Sequence, residues 1–162
     1  MGRASLWRSL AGFGVVAICA VALNAITGAQ TDPFAGTWKL DVAKSTYKPG
    51  PAPKSATVVI EPVGKGLKVA VDAVTADGPM KWGYTNAGDG KESPVTGNPA
   101  YDAVIVTRTT PAESTAVYKK AGKTVVTLKV SVAKDGKTMT ATSDGTDPKG
   151  QTTHNVAHYT KQ

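Results

Sequence analysis

The side chains able to do chemistry are few in this chain and widely spaced. His154 and His158 are its two histidines. On a strand they share a face but stand about 13 Å apart at 3.3 Å per residue. One metal ion needs ligand bonds of about 2 Å, so the pair cannot chelate it. The single cysteine, Cys19, lies in an N-terminal apolar run. No serine sits in a Gly-X-Ser-X-Gly elbow or beside an identifiable base. Asp77, Asp89, Asp135 and Asp147 fall in turns, where carboxylates cap backbone N–H groups. Gly64-Lys65-Gly66 and Gly88-Asp89-Gly90 lack the following helix of a phosphate-cradling loop. The expectation is a non-catalytic protein with no metal and no cofactor.

Binding is better served. Met80, Trp82 and Tyr84 alternate on one strand face, and small-ligand pockets are mostly apolar and aromatic with a few polar groups. Core packing is the ordinary use of such a stripe, so both readings stand. Tyr159 and Arg108 are the polar handles. Arg108 shares the face of Val104 and Val106, where its donor fork suits a carboxylate or phosphate; the alternative is a rim ion pair with Asp102, Glu113 or Asp144. Trp38, with Phe34 beside it, reads as the plug of a closed end, the other reading being a ligand floor.

These residues need elements to hold them. After Gln30 no helix-period stretch appears. Val- and Thr-rich alternation is cut every 8–12 residues or so by turn residues, the signature of a sandwich or barrel. Strands are expected at Gly36–Val42, Ser55–Glu61, Leu67–Val74, around Met80–Tyr84, Glu92–Thr96, Tyr101–Thr110, Ser114–Lys120, Thr124–Ala133, Thr138–Ser143 and Gln151–Lys161. A polar, proline-dense connection covers Lys44 to Lys54. Leu67, Val69, Val71, Val126, Leu128 and Val130 should face inward. Ten short strands in meander order leave two edges unless the sheet closes. A single antiparallel up-and-down β-barrel of eight to ten strands is therefore expected, with a two-sheet sandwich as the alternative.

The N-terminus carries Arg3 and Arg8, an apolar run from Leu10 to Leu23, and small residues at Thr27 and Ala29. This is the order of a secretory signal peptide, giving 1–29 as leader and 30–162 as the barrel domain. The expected location is periplasmic or extracellular, with no membrane span after cleavage. Removing Arg3 and Arg8 from 19 basic residues leaves 17 against 12 acidic ones, a charge of +5. The excess is lysine scattered over turns, which protects edges and solubility. Nucleic-acid binding would want clustered arginines and stacking aromatics, and is not expected.

Phe34-Ala35-Gly36-Thr37-Trp38-Lys39-Leu40 resembles the first strand of the calycin superfamily, the lipocalins and fatty-acid-binding proteins. The strand count and the length after the leader are also similar, as they are to lipocalin-like domains of exported bacterial proteins. The resemblance implies a small apolar or amphipathic ligand inside the barrel. Two departures stand out: no helical lid fits between the first two strands, and the last strand, His154 to Lys161, carries Tyr159 but no arginine. In lipocalins an arginine there stacks on the first-strand Trp. The competing function is an envelope interaction or scaffold module whose barrel is filled by its own side chains. A hollow interior would need about 300 Å³, the lower end for ligand pockets.

Overall fold

A computed structural model describes residues 32–147 and 149–162. The expected leader, 1–29, lies outside the described residues. Ten strands follow one another: β1 (Gly36–Lys48), β2 (Ser55–Val63), β3 (Gly66–Thr75), β4 (Gly78–Asn86), β5 (Glu92–Thr96), β6 (Ala103–Thr110), β7 (Glu113–Lys120), β8 (Lys123–Val132), β9 (Thr138–Thr146) and β10 (Thr152–Lys161). Each pairs antiparallel with its neighbours in sequence, and β1 also pairs with β10 to close the barrel. The meander therefore has no free edge, and the up-and-down barrel expected from alternation is the fold. Among the described residues there is no helix.

Alternation decides what fills the lumen. On β3, Leu67, Val69 and Ala73 are buried while Lys68 and Asp72 are exposed. Register carries the inward face across the sheet, from Val71 to Trp82 on β4 and from Leu128 to Ser143 on β9. At the end holding both chain termini of the barrel, Phe34, Trp38, Val58, Ile60, Leu67, Val69, Val132 and Met139 form one buried cluster. Midway lies a second, made mostly of alanines: Ala56, Ala73, Ala141 and Ala157 with Leu40. Toward the other end, the mouth, Val95, Val104, Ala116 and Tyr118 gather Trp82, Tyr84 and Tyr101 against them.

Two local features depart from the expected strand pattern. The first strand does not stop at Val42, and only residues 49–54 form the connection to β2. Between Asp41 and Thr46 the register against β10 shifts. Side chains hold this bulge together. Lys44 N donates to Asp41 Oδ1 (3.2 Å), Ser45 Oγ donates to Asp41 O (2.6 Å), and His158 N donates to Ser45 Oγ (3.0 Å). A short polar run that satisfies its own backbone can bulge within a strand, and proline density obscured it. Beyond the bulge, Tyr47 turns inward and packs on the alanine-rich cluster.

The second feature is a thin seam. β4 and β5 share only the pairs Gly83↔Thr96 and Tyr84↔Val95. Extending the register puts Pro94 opposite Thr85, and proline has no N–H to donate to the ladder. At the other end of the seam, Gly97 adopts φ +81°, and a Cβ there would fall 2.3 Å from the Lys81 carbonyl oxygen. Only glycine lets the backbones approach so closely.

These observations set two expectations. Met139→Ala, at a buried position, should cost about 2–5 kcal/mol in chemical denaturation, the range for large-to-small core changes. Leu128→Ala should sit at or below the low end of that range, because Leu128 already borders empty space. Equal losses would contradict this packing. In native-state hydrogen exchange, the amides of Gly83 and Thr96 should exchange well ahead of those of Ala141 and Ala157, since short ladders open first. Uniform protection around the barrel would refute the weak seam.

Candidate ligand site at the barrel mouth

Geometry separates the expected site residues into two ends. At the closed end, Trp38 is fully buried and its Nε1 donates to the Phe34 carbonyl (2.8 Å). Phe34 is buried beside it. Arg108 is also here, on the outer rim. Its Nη1 and Nη2 donate to Asp32 Oδ1 (3.2 Å) and Oδ2 (2.8 Å), Nη1 also donates to Pro111 O (3.1 Å), and its Cζ sits 4.9 Å from the Phe34 ring centre. Its carboxylate partner is Asp32, which was not among the three rim acids considered. Arg108 thus fastens the lead-in to β1 over the closed end, remote from Trp82 and the mouth.

The last strand carries no arginine, but its Lys161 stacks on Trp38. Lys161 Nζ lies 5.0 Å from the Trp38 ring centre. A Cβ on Gly36 (φ +133°) would meet the Lys161 side chain at 2.5 Å, so glycine in the Gly-Thr-Trp run makes room for that stack. Lys161 was not singled out from the sequence, although it stands on the last strand.

Toward the mouth, Trp82 is the hub of an aromatic cluster. Its ring meets Tyr84 in a stack (6.4 Å between centres) and Tyr101 and Tyr118 edge-on (6.1 and 5.8 Å). Tyr101 and Tyr118 lie 4.8 Å apart. Such pairs hold one another beyond simple area burial. Met80 shares the strand face of Trp82 but lines neither interior space. Tyr101 and Tyr118 were not singled out from sequence, because Tyr101 precedes β6 and Tyr118 is the one aromatic of β7; only closure of the barrel gathers them.

Two interior spaces adjoin this cluster. A chamber of about 100 Å³ lies below it, bordered by Val69, Tyr84, Leu128, Met139 and Tyr159 among others. At about 30 Å³ of liquid volume per water, it has room for roughly three waters. Above it a hollow of about 240 Å³ opens to the mouth. Trp82, Tyr101 and Tyr118 form one wall; Ser143, Asn155 and Asp147 stand on the other. Trp82, Tyr118 and Leu128 border both spaces. Asn155 Nδ2 donates to Ser143 Oγ (3.2 Å), and Asn155 Oδ1 accepts from Lys48 N (3.2 Å). The Ser143 hydroxyl proton is thereby left for another acceptor. The largest concavity, about 880 Å³, is an open saddle on the outer face over the β4–β5 seam, flanked by the Lys81–Asp72 ion pair.

Burial shapes the protonation of this region. All five tyrosines of the chain belong to the barrel, and desolvation raises the pKa of each. Tyr118 is pushed well above the ordinary phenol value, with Tyr84, Tyr101 and Tyr159 adding to the effect of burial. Tyr159 is raised by burial and then by Tyr47. The interior therefore presents neutral hydroxyls, not phenolates, throughout the physiological range.

The histidines sit outside the lumen. His154 Nδ1 lies 2.6 Å from Asp144 Oδ1 at the surface, and His158 Nδ1 lies 3.3 Å from Thr140 Oγ1. Among the described residues no three His, Cys, Asp or Glu side chains come together as a metal site would require.

Fold and lumen together define a closed, ten-stranded, antiparallel up-and-down β-barrel. No family model matches the chain, and no curated protein does. Among solved structures it is similar to the siderocalin Ex-FABP, described as functioning through dual ligand specificities. The identity is 17%, covering 80% of this chain and 74% of that one, at a TM-score of 0.36.

Alkaline titration tests the buried phenols. A free tyrosine is half ionised near pH 10; here phenolate absorbance should lag well behind that value. Above pH 10 or so, the unfolded chain loses phenolic protons that the barrel retains, so stability should fall as pH rises. Phenolate should then appear together with loss of the fold. Complete ionisation near pH 10 in a still-folded protein would show the tyrosines to be solvated.

Proposed function

We propose that this is an exported, non-catalytic binding protein whose small, partly apolar ligand sits in the mouth of the barrel. The observation that carries this reading is the 240 Å³ hollow between the Trp82–Tyr101–Tyr118 wall and the polar side chains of β9 and β10. It joins rigid aromatic surface with a few placed hydrogen-bonding groups, the usual make-up of a ligand pocket. The inner chamber, at about 100 Å³, and the hollow, at about 240 Å³, each fall short of the roughly 300 Å³ typical of the smallest ligand pockets, a volume they reach only together. A long acyl chain buried down the axis therefore has no room in this packing, and a compact ligand held at the mouth does. Met80, Arg108 and Tyr159 drop out of direct contact in this reading, while Trp82 remains and Tyr101 and Tyr118 join it.

Trp82 should report occupancy, because a ligand against its ring replaces water in the hollow. Titration with a small apolar probe should shift or quench tryptophan emission saturably. Trp82→Phe should abolish most of that signal. Trp38→Phe should preserve it and mainly lower stability, through loss of the bond to Phe34. The reading fails if no saturable change occurs with any probe and native mass spectrometry finds no co-purifying molecule. The scaffold reading, in which the barrel only fills itself, would then hold.

A further inference from the structure

Resting on the mouth as the binding site, we infer that the ligand class is an organic cation: a compact ring compound bearing an ammonium or other positive group. The inference comes from the charges that line the lumen and those that do not. No charged side chain borders the inner chamber, and Asp147 alone carries charge among the residues of the mouth hollow. The basic groups that could have met an anion are committed elsewhere. Arg108 is paired with Asp32, and Lys161 is stacked on Trp38, both at the closed end. Lys48 and Lys149 are exposed on the mouth rim without lining the hollow.

Asp147 is held firmly. Its Oδ1 accepts from Lys149 N and Gln151 N (both 2.8 Å), while its backbone exchanges turn bonds with Gln151 and Gly150. Both side-chain bonds fall on Oδ1, which leaves Oδ2 to a ligand. Across the hollow stand Trp82, Tyr101 and Tyr118. Electron-rich rings attract cations, tryptophan most strongly. A carboxylate on one side and aromatic rings on the other form a potential that favours positive charge. An anion entering the same space would lose its hydration and meet Asp147 with no compensating cation, a built-in penalty that sets specificity.

Three aromatic probes of similar size separate the possibilities: benzylammonium, benzyl alcohol and benzoate, titrated into the purified protein with Trp82 emission as readout. The cation should bind tightest and benzoate weakest, with about tenfold between them, as expected for one carboxylate contact near a surface. Asp147→Asn keeps the turn-capping oxygen. It should bring the cation's affinity close to that of the alcohol and leave the alcohol unchanged. Should benzoate or the alcohol match the cation, or should the cation's advantage survive Asp147→Asn, the cation assignment is overturned while binding at the mouth stands. If none of the three changes Trp82 emission, the cation assignment falls, and co-purification by native mass spectrometry then decides whether the mouth binds anything.

Discussion

The bond from the Trp38 indole to the Phe34 carbonyl, inside a fully dry contact, is the interaction on which the closed end depends. A closed meander has no sheet edges, but it leaves an axial space that must be filled or capped. Phe34 precedes the first strand, so its backbone would otherwise be a free lead-in. The indole bond ties it over the lumen, the Asp32–Arg108 pair anchors it to the far side of the barrel at β6, and Lys161 seals the opposite ring face. Five residues from three separate parts of the chain thus hold two rings in place. Together they cap the lumen at that end, beside a hollow of about 360 Å³ that Arg108 helps to line.

What the plug does at one end, the aromatic cluster does by halves near the mouth. Trp82, Tyr84, Tyr101 and Tyr118 fill most of the cross-section by packing on one another. They all come from β4 to β7 and so crowd one side. The facing wall, from β1 to β3 with β9 and β10, carries alanines at mid-height, Ala56, Ala73, Ala141 and Ala157, followed by Ser143 and Asn155. Large rings against small side chains pack below and leave a gap above. The hollow follows from that asymmetry, and the polar groups at its edge follow from the nearby β9–β10 turn.

How much of this was legible in the sequence depended on whether a residue's role is local. Alternation on β3 and β8 identified inward faces correctly, because a strand's two faces are fixed by period alone. Turn positions such as Asp135-Gly136 marked hairpins for the same reason. The bulge in β1 was not legible, since its stability comes from Ser45 reaching the β10 backbone at His158, over a hundred positions away. Tyr101 and Tyr118 were invisible as a site because one lies in the connection before β6 and the other is an isolated aromatic on β7. Arg108 could be placed on a face from the sequence but not given a partner. Asp32, in the lead-in, offered no periodicity to locate it. Trp82 was legible because β4 alone carries three of its large side chains in register.

The distribution of charge links the two ends. A small barrel with one arginine has little freedom in where to use a guanidinium, and here it is spent on closure with Asp32. Lys161 is likewise drawn to the Trp38 ring, where a cation gains from the π-face. Both choices strip the lumen of positive charge. The five tyrosines, already neutral at physiological pH, are pushed further toward the protonated form by burial, so the interior also lacks phenolate. Among the residues lining the mouth hollow only the turn carboxylate Asp147 is charged, positioned by backbone N–H groups it must cap in any case. The same cations that lock the plug therefore leave the open end to acceptors, hydroxyls and rings. A barrel that closed its end with apolar residues alone would have left its arginine free to recognise an acid.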